Sequence, residues 1–401
     1  MPEPTTHVLA RPVPGWRCRW CRADVGTIVL DLGEQPAADH FPAPDDVRPD
    51  PAYPLRMVLC GSCGLAQLED DPTDSEEPAG VEPAALVRQA TEAVSDLVRA
   101  GLARPGTTAA EFPSPHGGSW LGLLADAGLV VEHGLGAGGD APRQVGLVVD
   151  SLGMMHDADQ RAALELRLSR LAPDGVLALH VHTLATILRD GTWNALRHGH
   201  YAYYAVPVLV DMAEELGLRP VGAWEYGLYG GTVVLAFARA GSRTLADHTA
   251  GAELVRRLVR RERGLGVTDP EHVAELGDAV EESATALRAY LDRAREAGLR
   301  VAGYGAASRA VALLGVAGVG TDDLVAVGDA SDAKHGRALP GSRVPIVGPE
   351  ELVALRPDRV LLFVPDLLDE VRAALPDVEA DGGRWVVVEP RPREVPAPVT
   401  P

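Results

Sequence analysis

Val145-Gly146-Leu147-Val148-Val149-Asp150, an interval long enough for a helix, and then Pro173-Asp174-Gly175-Val176-Leu177-Ala178-Leu179-His180-Val181-His182 decide the fold class. Both apolar runs have strand length, and Pro173-Asp174-Gly175 predicts a corner from helix into strand. Strands alternating with helices argue for an α/β layer on a mainly parallel sheet. The alternation extends outward, with strand-like runs at 107–112, 129–132 and 232–238 and a helix predicted over 83–100.

Past residue 241 a charged, mostly helical stretch runs to 299, broken near 264–270. A second α/β set follows, with strands predicted at 300–304, 324–328, 360–364 and 384–388. The proline-rich stretch 389–401 reads as a loose extended tail. Residues 69–82 are acidic and carry two prolines, a composition that buries too little apolar surface to order itself and so reads as a linker. The expected domains are therefore 1–77, 78–242 and 243–401.

The first of these is short on helical periodicity, with a strand-like run at 26–32, and it holds all four cysteines of the chain as two C-x-x-C pairs, Cys18/Cys21 and Cys60/Cys63. Thiolates are soft ligands that favour tetrahedral zinc, and each tight turn presents two sulfurs. Four sulfurs close the coordination sphere, which assigns the metal to structure. The net charge of −20 and scattered arginines exclude a nucleic-acid binder, and no window approaches the length of a membrane span. The N-terminal stretch has no signal-peptide order, so a cytoplasmic location is expected.

Cys18-Arg19-Trp20-Cys21, Val29-Leu30-Asp31-Leu32-Gly33-Glu34-Gln35-Pro36-Ala37-Ala38-Asp39-His40-Phe41 and Cys60-Gly61-Ser62-Cys63-Gly64-Leu65-Ala66-Gln67-Leu68 together resemble the N-terminal module of the sugar C-methyltransferases. The resemblance implies methylation of a thymidine-diphosphate-linked keto-deoxysugar by S-adenosylmethionine bound in a Rossmann-like middle domain. It aligns Glu111-Phe112-Pro113-Ser114-Pro115-His116-Gly117 with the family's E-x-G-x-x-D-G cofactor loop. Glu111 and Gly117 are kept, Pro113 replaces the first glycine and His116 the acid. Cofactor contacts are thus expected from Glu111, His116 and Gly117, with Glu132 as the ribose carboxylate after the second strand.

Further along, Arg197-His198-Gly199-His200-Tyr201-Ala202-Tyr203-Tyr204 resembles the family's Y-H-E-H-x-x-Y-F signature, with Arg197 and Gly199 in place of its tyrosine and glutamate. An isolated pair such as His198 and His200 is usually packing or solvated. Within the signature His200 is implied as the base, with His156 as a second catalytic candidate, while His182 reads as a satisfied strand-edge residue. Substrate contacts are implied for Tyr203, for Gly231 in Tyr229-Gly230-Gly231-Thr232, and for Tyr304 and Lys334 in the well-matched C-terminal half. A solvated surface position is the plain reading of a lone lysine.

Three readings stay open: a C-methyltransferase, a relative that lost methyl transfer and acts as a ketoreductase with NADPH or as an epimerase-like enzyme, and a non-catalytic sugar-nucleotide binder. The expected ligands are zinc, S-adenosylmethionine and a thymidine-diphosphate sugar. The sequence leaves the oligomeric state open.

Overall fold

The computed structural model describes residues 11–73, 82–112, 118–133 and 143–396. In the first segment, strands β1 (Arg11–Pro12), β2 (Gly26–Pro36), β3 (Ala52–Cys60) and β4 (Ala66–Leu68) pair antiparallel in chain order. The strand expected at 26–32 runs on to Pro36 because its partner carries the pairing from Gly26 opposite Cys60 out to Pro36 opposite Ala52. Ile28, Val29 and Leu30 and, across the hairpin, Met57, Val58 and Leu59 are buried.

The middle of the chain contributes β5 (Thr108–Phe112), β6 (Val130–Val131), β7 (Val145–Ser151), β8 (Leu171–His182), β9 (Ala202–Tyr203), β10 (Leu218–Tyr226) and β11 (Thr232–Arg239). Six of them form one sheet in the order β10-β11-β8-β7-β5-β6, parallel from β8 to β6 and closed by the antiparallel hairpin β10/β11. The α/β expectation holds, with two local corrections. Pro173-Asp174-Gly175 makes a bulge inside β8, with Leu171 opposite Val145 and Val176 already opposite Leu147. Strand β10 escaped the reading because Pro220 argues against an interior strand; it sits at a register shift, where a missing amide donor is tolerated.

Helices α1 (Ala84–Arg99), α2 (Leu121–Asp126), α3 (Gln160–Ser169), α4 (Leu184–Asp190) and α5 (Val206–Glu215) accompany this sheet. The apolar stripe of α1, including Ala90, Ala93, Val94 and Leu97, is buried against it. Asp159 and Thr183 accept free amides that open α3 and α4, and the Thr183 cap fixes where the chain leaves β8. The expected helical stretch appears as α6 (Arg243–Asp247), α7 (Thr249–Gly264), α8 (Pro270–Ala274) and α9 (Leu276–Glu296). It leads to α10 (Ser308–Val316) and a third sheet of β12 (Val301–Tyr304), β13 (Val327–Gly328), β14 (Ile346–Val347), β15 (Arg359–Leu362), β16 (Arg384–Val387) and β17 (Arg393–Glu394).

Parts of two segments expected to be loose are held among the described residues. Glu69 accepts from Arg56 at 2.9 Å and Asp71 from the Gly199 amide at 2.6 Å, so the linker begins ordered; 74–81 lie outside the described residues. The tail pairs β17 antiparallel with the edge strand β16, whose backbone groups need partners. Strand β9 joins the N-terminal sheet beside β4, and one apolar cluster runs from Trp16 through Leu209 to Val388. The parts read as separate domains therefore share a core. No helix among the described residues is long and apolar enough to cross a membrane.

Candidate functional site

The two cysteine knuckles close on each other. Cys18 Sγ lies 3.6 Å from Cys63 Sγ and Cys21 Sγ 3.6 Å from Cys60 Sγ, and all four sulfurs fall within 4.8 Å of one another. A tetrahedron with zinc–sulfur bonds of about 2.3 Å has edges of about 3.8 Å, so this donor set fits zinc. The Trp20 and Ser62 amides point at Cys18 and Cys60 Sγ from 3.4 Å each, and Gln67 Nε2 at Cys18 Sγ from 3.3 Å. These are the outer contacts that orient metal-bound thiolates.

A cavity of about 410 Å³ opens over the C-terminal ends of β5, β7 and β8, roofed by the start of α1 and by the C-terminal half around α10. Ligands of open α/β sheets bind at this end of the strands. Glu111, the last residue but one of β5, turns its carboxylate to the start of α2, accepting from Ser119 Oγ at 2.5 Å and the Trp120 amide at 2.9 Å; burial raises its pKa. Glu111 lines the cavity, whereas Glu132 lies off it with its oxygens on Arg170 at 3.0 Å and Arg143 at 3.7 Å. His116 and Gly117 lie outside the described residues.

At the opposite wall, His200 Nε2 accepts from Arg197 Nε at 2.7 Å, and His156 meets the His200 ring edge-on with centroids 4.6 Å apart. Tyr203 is buried on β9, its hydroxyl accepting the Arg197 amide at 3.1 Å; burial drives its pKa far above the usual phenol range. His198 points the other way, with Nε2 on the Pro54 carbonyl at 3.3 Å and its ring edge-on to Tyr53, a packing role. Gly231 stays behind the wall, where a Cβ would press to 2.8 Å on Thr186 Oγ1; its neighbour Tyr229 faces the cavity. From the C-terminal half, Tyr304 and Lys334 line the same space. Lys334 is not a surface lysine: it is 5% exposed, donates from Nζ to the Ala306 carbonyl at 2.9 Å and covers the Phe41 ring from the N-terminal module.

Two domain profiles match the chain: a zinc binding domain over residues 18–76, which holds all four cysteines, and a C-methyltransferase C-terminal domain over 227–390. C-methyltransferase NovU of Streptomyces niveus is 27% identical along 98% of this chain and 99% of its own length. The chain belongs to the C-methyltransferase family. Among solved structures, the 1,6-didemethyltoxoflavin-N1-methyltransferase of Burkholderia thailandensis is 16% identical over 44% of this chain and 96% of that one, with a TM-score of 0.30. Magnesium protoporphyrin IX methyltransferase of Synechocystis is 13% identical over 39% and 84%, also at 0.30. At that distance neither bears on the site.

In this C-methyltransferase the cavity also holds residues that sequence reasoning passed over. Alternation along β8 sends His180 and His182 to one face, and both line the cavity. His180 sits with Nδ1 2.9 Å from Ser151 Oγ and Nε2 against Gln89 Nε2; burial pushes its pKa down to about 3. His182, expected to be satisfied at a strand edge, has a buried Nε2 with no hydrogen-bond partner among the described residues, and burial, with Arg309 nearby, also brings it to about 3. The two-residue spacing was the available signal. Arg197 gave none, since a buried cation cannot be told from a surface one by type.

Proposed function

We propose that the chain is an S-adenosylmethionine-dependent C-methyltransferase of a thymidine-diphosphate-linked keto-deoxysugar, with His200 removing the proton beside the ketone. The observation that carries this reading is the single cavity that joins Glu111 at the end of β5, His200 and Tyr203 on the wall opposite, and Tyr304 and Lys334 from the C-terminal half. The full-length likeness to a C-methyltransferase supports the reaction class. When bound, the cofactor supplies an electrophilic methyl group; Glu111, together with His116 and Gly117, is its proposed anchor.

His200 accepts from Arg197 through Nε2, so that nitrogen carries a lone pair and the ring is neutral, the state a base needs. Imidazole, with an ordinary pKa of about 6.5, suits proton removal near neutrality. His156 against the ring edge fixes its orientation. Lys334 and Tyr304, which line the cavity, are the proposed contacts to the sugar nucleotide. Zinc, held by Cys18, Cys21, Cys60 and Cys63, is structural because no ligand position is left open. The reductase alternative and its NADPH draw no support from the relatives.

Incubation with adenosylmethionine and a thymidine-diphosphate 4-keto-2,6-dideoxysugar, followed by mass analysis, is expected to show gain of one methyl group. His200→Ala is expected to slow that gain by on the order of 100-fold. An unchanged sugar mass with wild-type enzyme would defeat the proposal.

A further inference from the structure

Arg197, on the cavity wall, touches side chains from all three parts of the chain. It is 5% exposed; Nε donates to His200 Nε2 at 2.7 Å, Nη1 donates to Ser308 Oγ at the start of α10 at 2.6 Å, and Nη1 lies 3.8 Å from Asp39 of the N-terminal module. Its own amide is on the Tyr203 hydroxyl. Asp39 answers the charge of this deep guanidinium, and the Nε donor is the one turned to the histidine.

Proton removal beside a ketone creates an anion. The C–H bond breaks, its electron pair forms a carbon–carbon double bond, and the carbonyl π pair moves onto oxygen. The proton goes to His200 Nε2 and the charge appears on the oxygen one atom away from the carbon that lost it. An N–H donor beside the base nitrogen is the complement of that pair of atoms, and Arg197 Nε occupies the position, facing the same cavity.

We infer that Arg197 is the oxyanion partner of His200: the incoming ketone takes the place of His200 Nε2 on the guanidinium, and Arg197 then holds the enolate oxygen while His200 holds the proton. The inference rests on the proposed removal of a proton beside a ketone. Ser308 and Asp39, reaching in from either side, fix the guanidinium before substrate arrives, which is the condition under which an oxyanion donor is effective.

The test uses the full-length, zinc-loaded enzyme and the 4-keto-2,6-dideoxysugar nucleotide in heavy water without adenosylmethionine. Deuterium at the carbon beside the ketone is read by mass, and binding by calorimetry. Wild type is expected to exchange, and Arg197→Gln on the order of 100-fold more slowly with binding little changed; Arg197→Lys, which keeps the charge, falls between. Exchange by Arg197→Gln at the wild-type rate overturns the inference and leaves the base role of His200 standing. Wild type that binds the sugar but neither exchanges nor methylates it overturns both. If Arg197→Gln fails to fold, wild type decides: the infrared stretch of the bound, carbon-13-labelled ketone is expected to fall on binding, as a guanidinium donor requires. A purely structural Arg197 leaves that stretch unshifted, which overturns the inference.

Discussion

His180 and His182 show how burial alone sets a chemical state. Both are driven down to about 3, so they stay neutral where a free histidine would take up a proton. Between pH 3 and about 6.5 the unfolded chain binds protons that the folded chain refuses, so stability rises with pH across that window and is lost as pH falls through it. Each histidine contributes a slope of about 1.4 kcal/mol per pH unit. His180→Gln, able to keep the contact with Ser151, is expected to gain on wild type by about that slope as pH is lowered from 6 to 4, read from urea midpoints. Parallel wild-type and variant curves would show that His180 is protonated in the fold.

At the scale of elements, α5 and α7 are joined by a buried acid. Glu262, 1% exposed on α7, accepts the Val206 amide that opens α5 at 2.6 Å, and burial raises its pKa to about 7. A raised acid has the opposite sign to the histidines. From about 4.5 to 7 the folded chain binds the extra proton, so Glu262 costs stability progressively as pH rises to 7 and the full cost remains above it. Glu262→Gln keeps the acceptor for Val206 without the charge. It is expected to be neutral at pH 4 and to stabilise by about 1–2 kcal/mol at pH 8, after allowance for its new buried amide donors. A variant less stable than wild type at pH 8 would mean that Glu262 has a cationic partner there.

The whole molecule couples the metal module to the reaction site. Strand β9, which carries Tyr203, is the outer strand of the cysteine-bearing sheet, and the next residues back along the chain include His200 and Arg197. Paired knuckles in so small a module need the metal to fold. Removing zinc with a strong chelator is therefore expected to abolish methyl transfer and the near-ultraviolet signal of the buried tryptophans together, with both restored by added zinc. Full activity in metal-free protein would separate the module from the site.

Local pattern was enough for much of this. The C-x-x-C spacing placed four sulfurs that close to a tetrahedron, and strand-length apolar runs at Val145 and Val176 placed two central strands, because ligand spacing and side-chain period are properties of contiguous residues. The resemblance at Arg197 to Tyr204 singled out His200 and Tyr203, and both face the cavity. Pairing between distant segments was decided only by the tertiary structure. It placed β9 on the N-terminal sheet, turned Pro173-Asp174-Gly175 into a bulge, buried Lys334 against Phe41 and set Arg197 between Asp39, His200 and Ser308. A residue's charge and period are written in its neighbours along the chain, but its dielectric surroundings and hydrogen-bond partners come from segments that meet it only in the folded state.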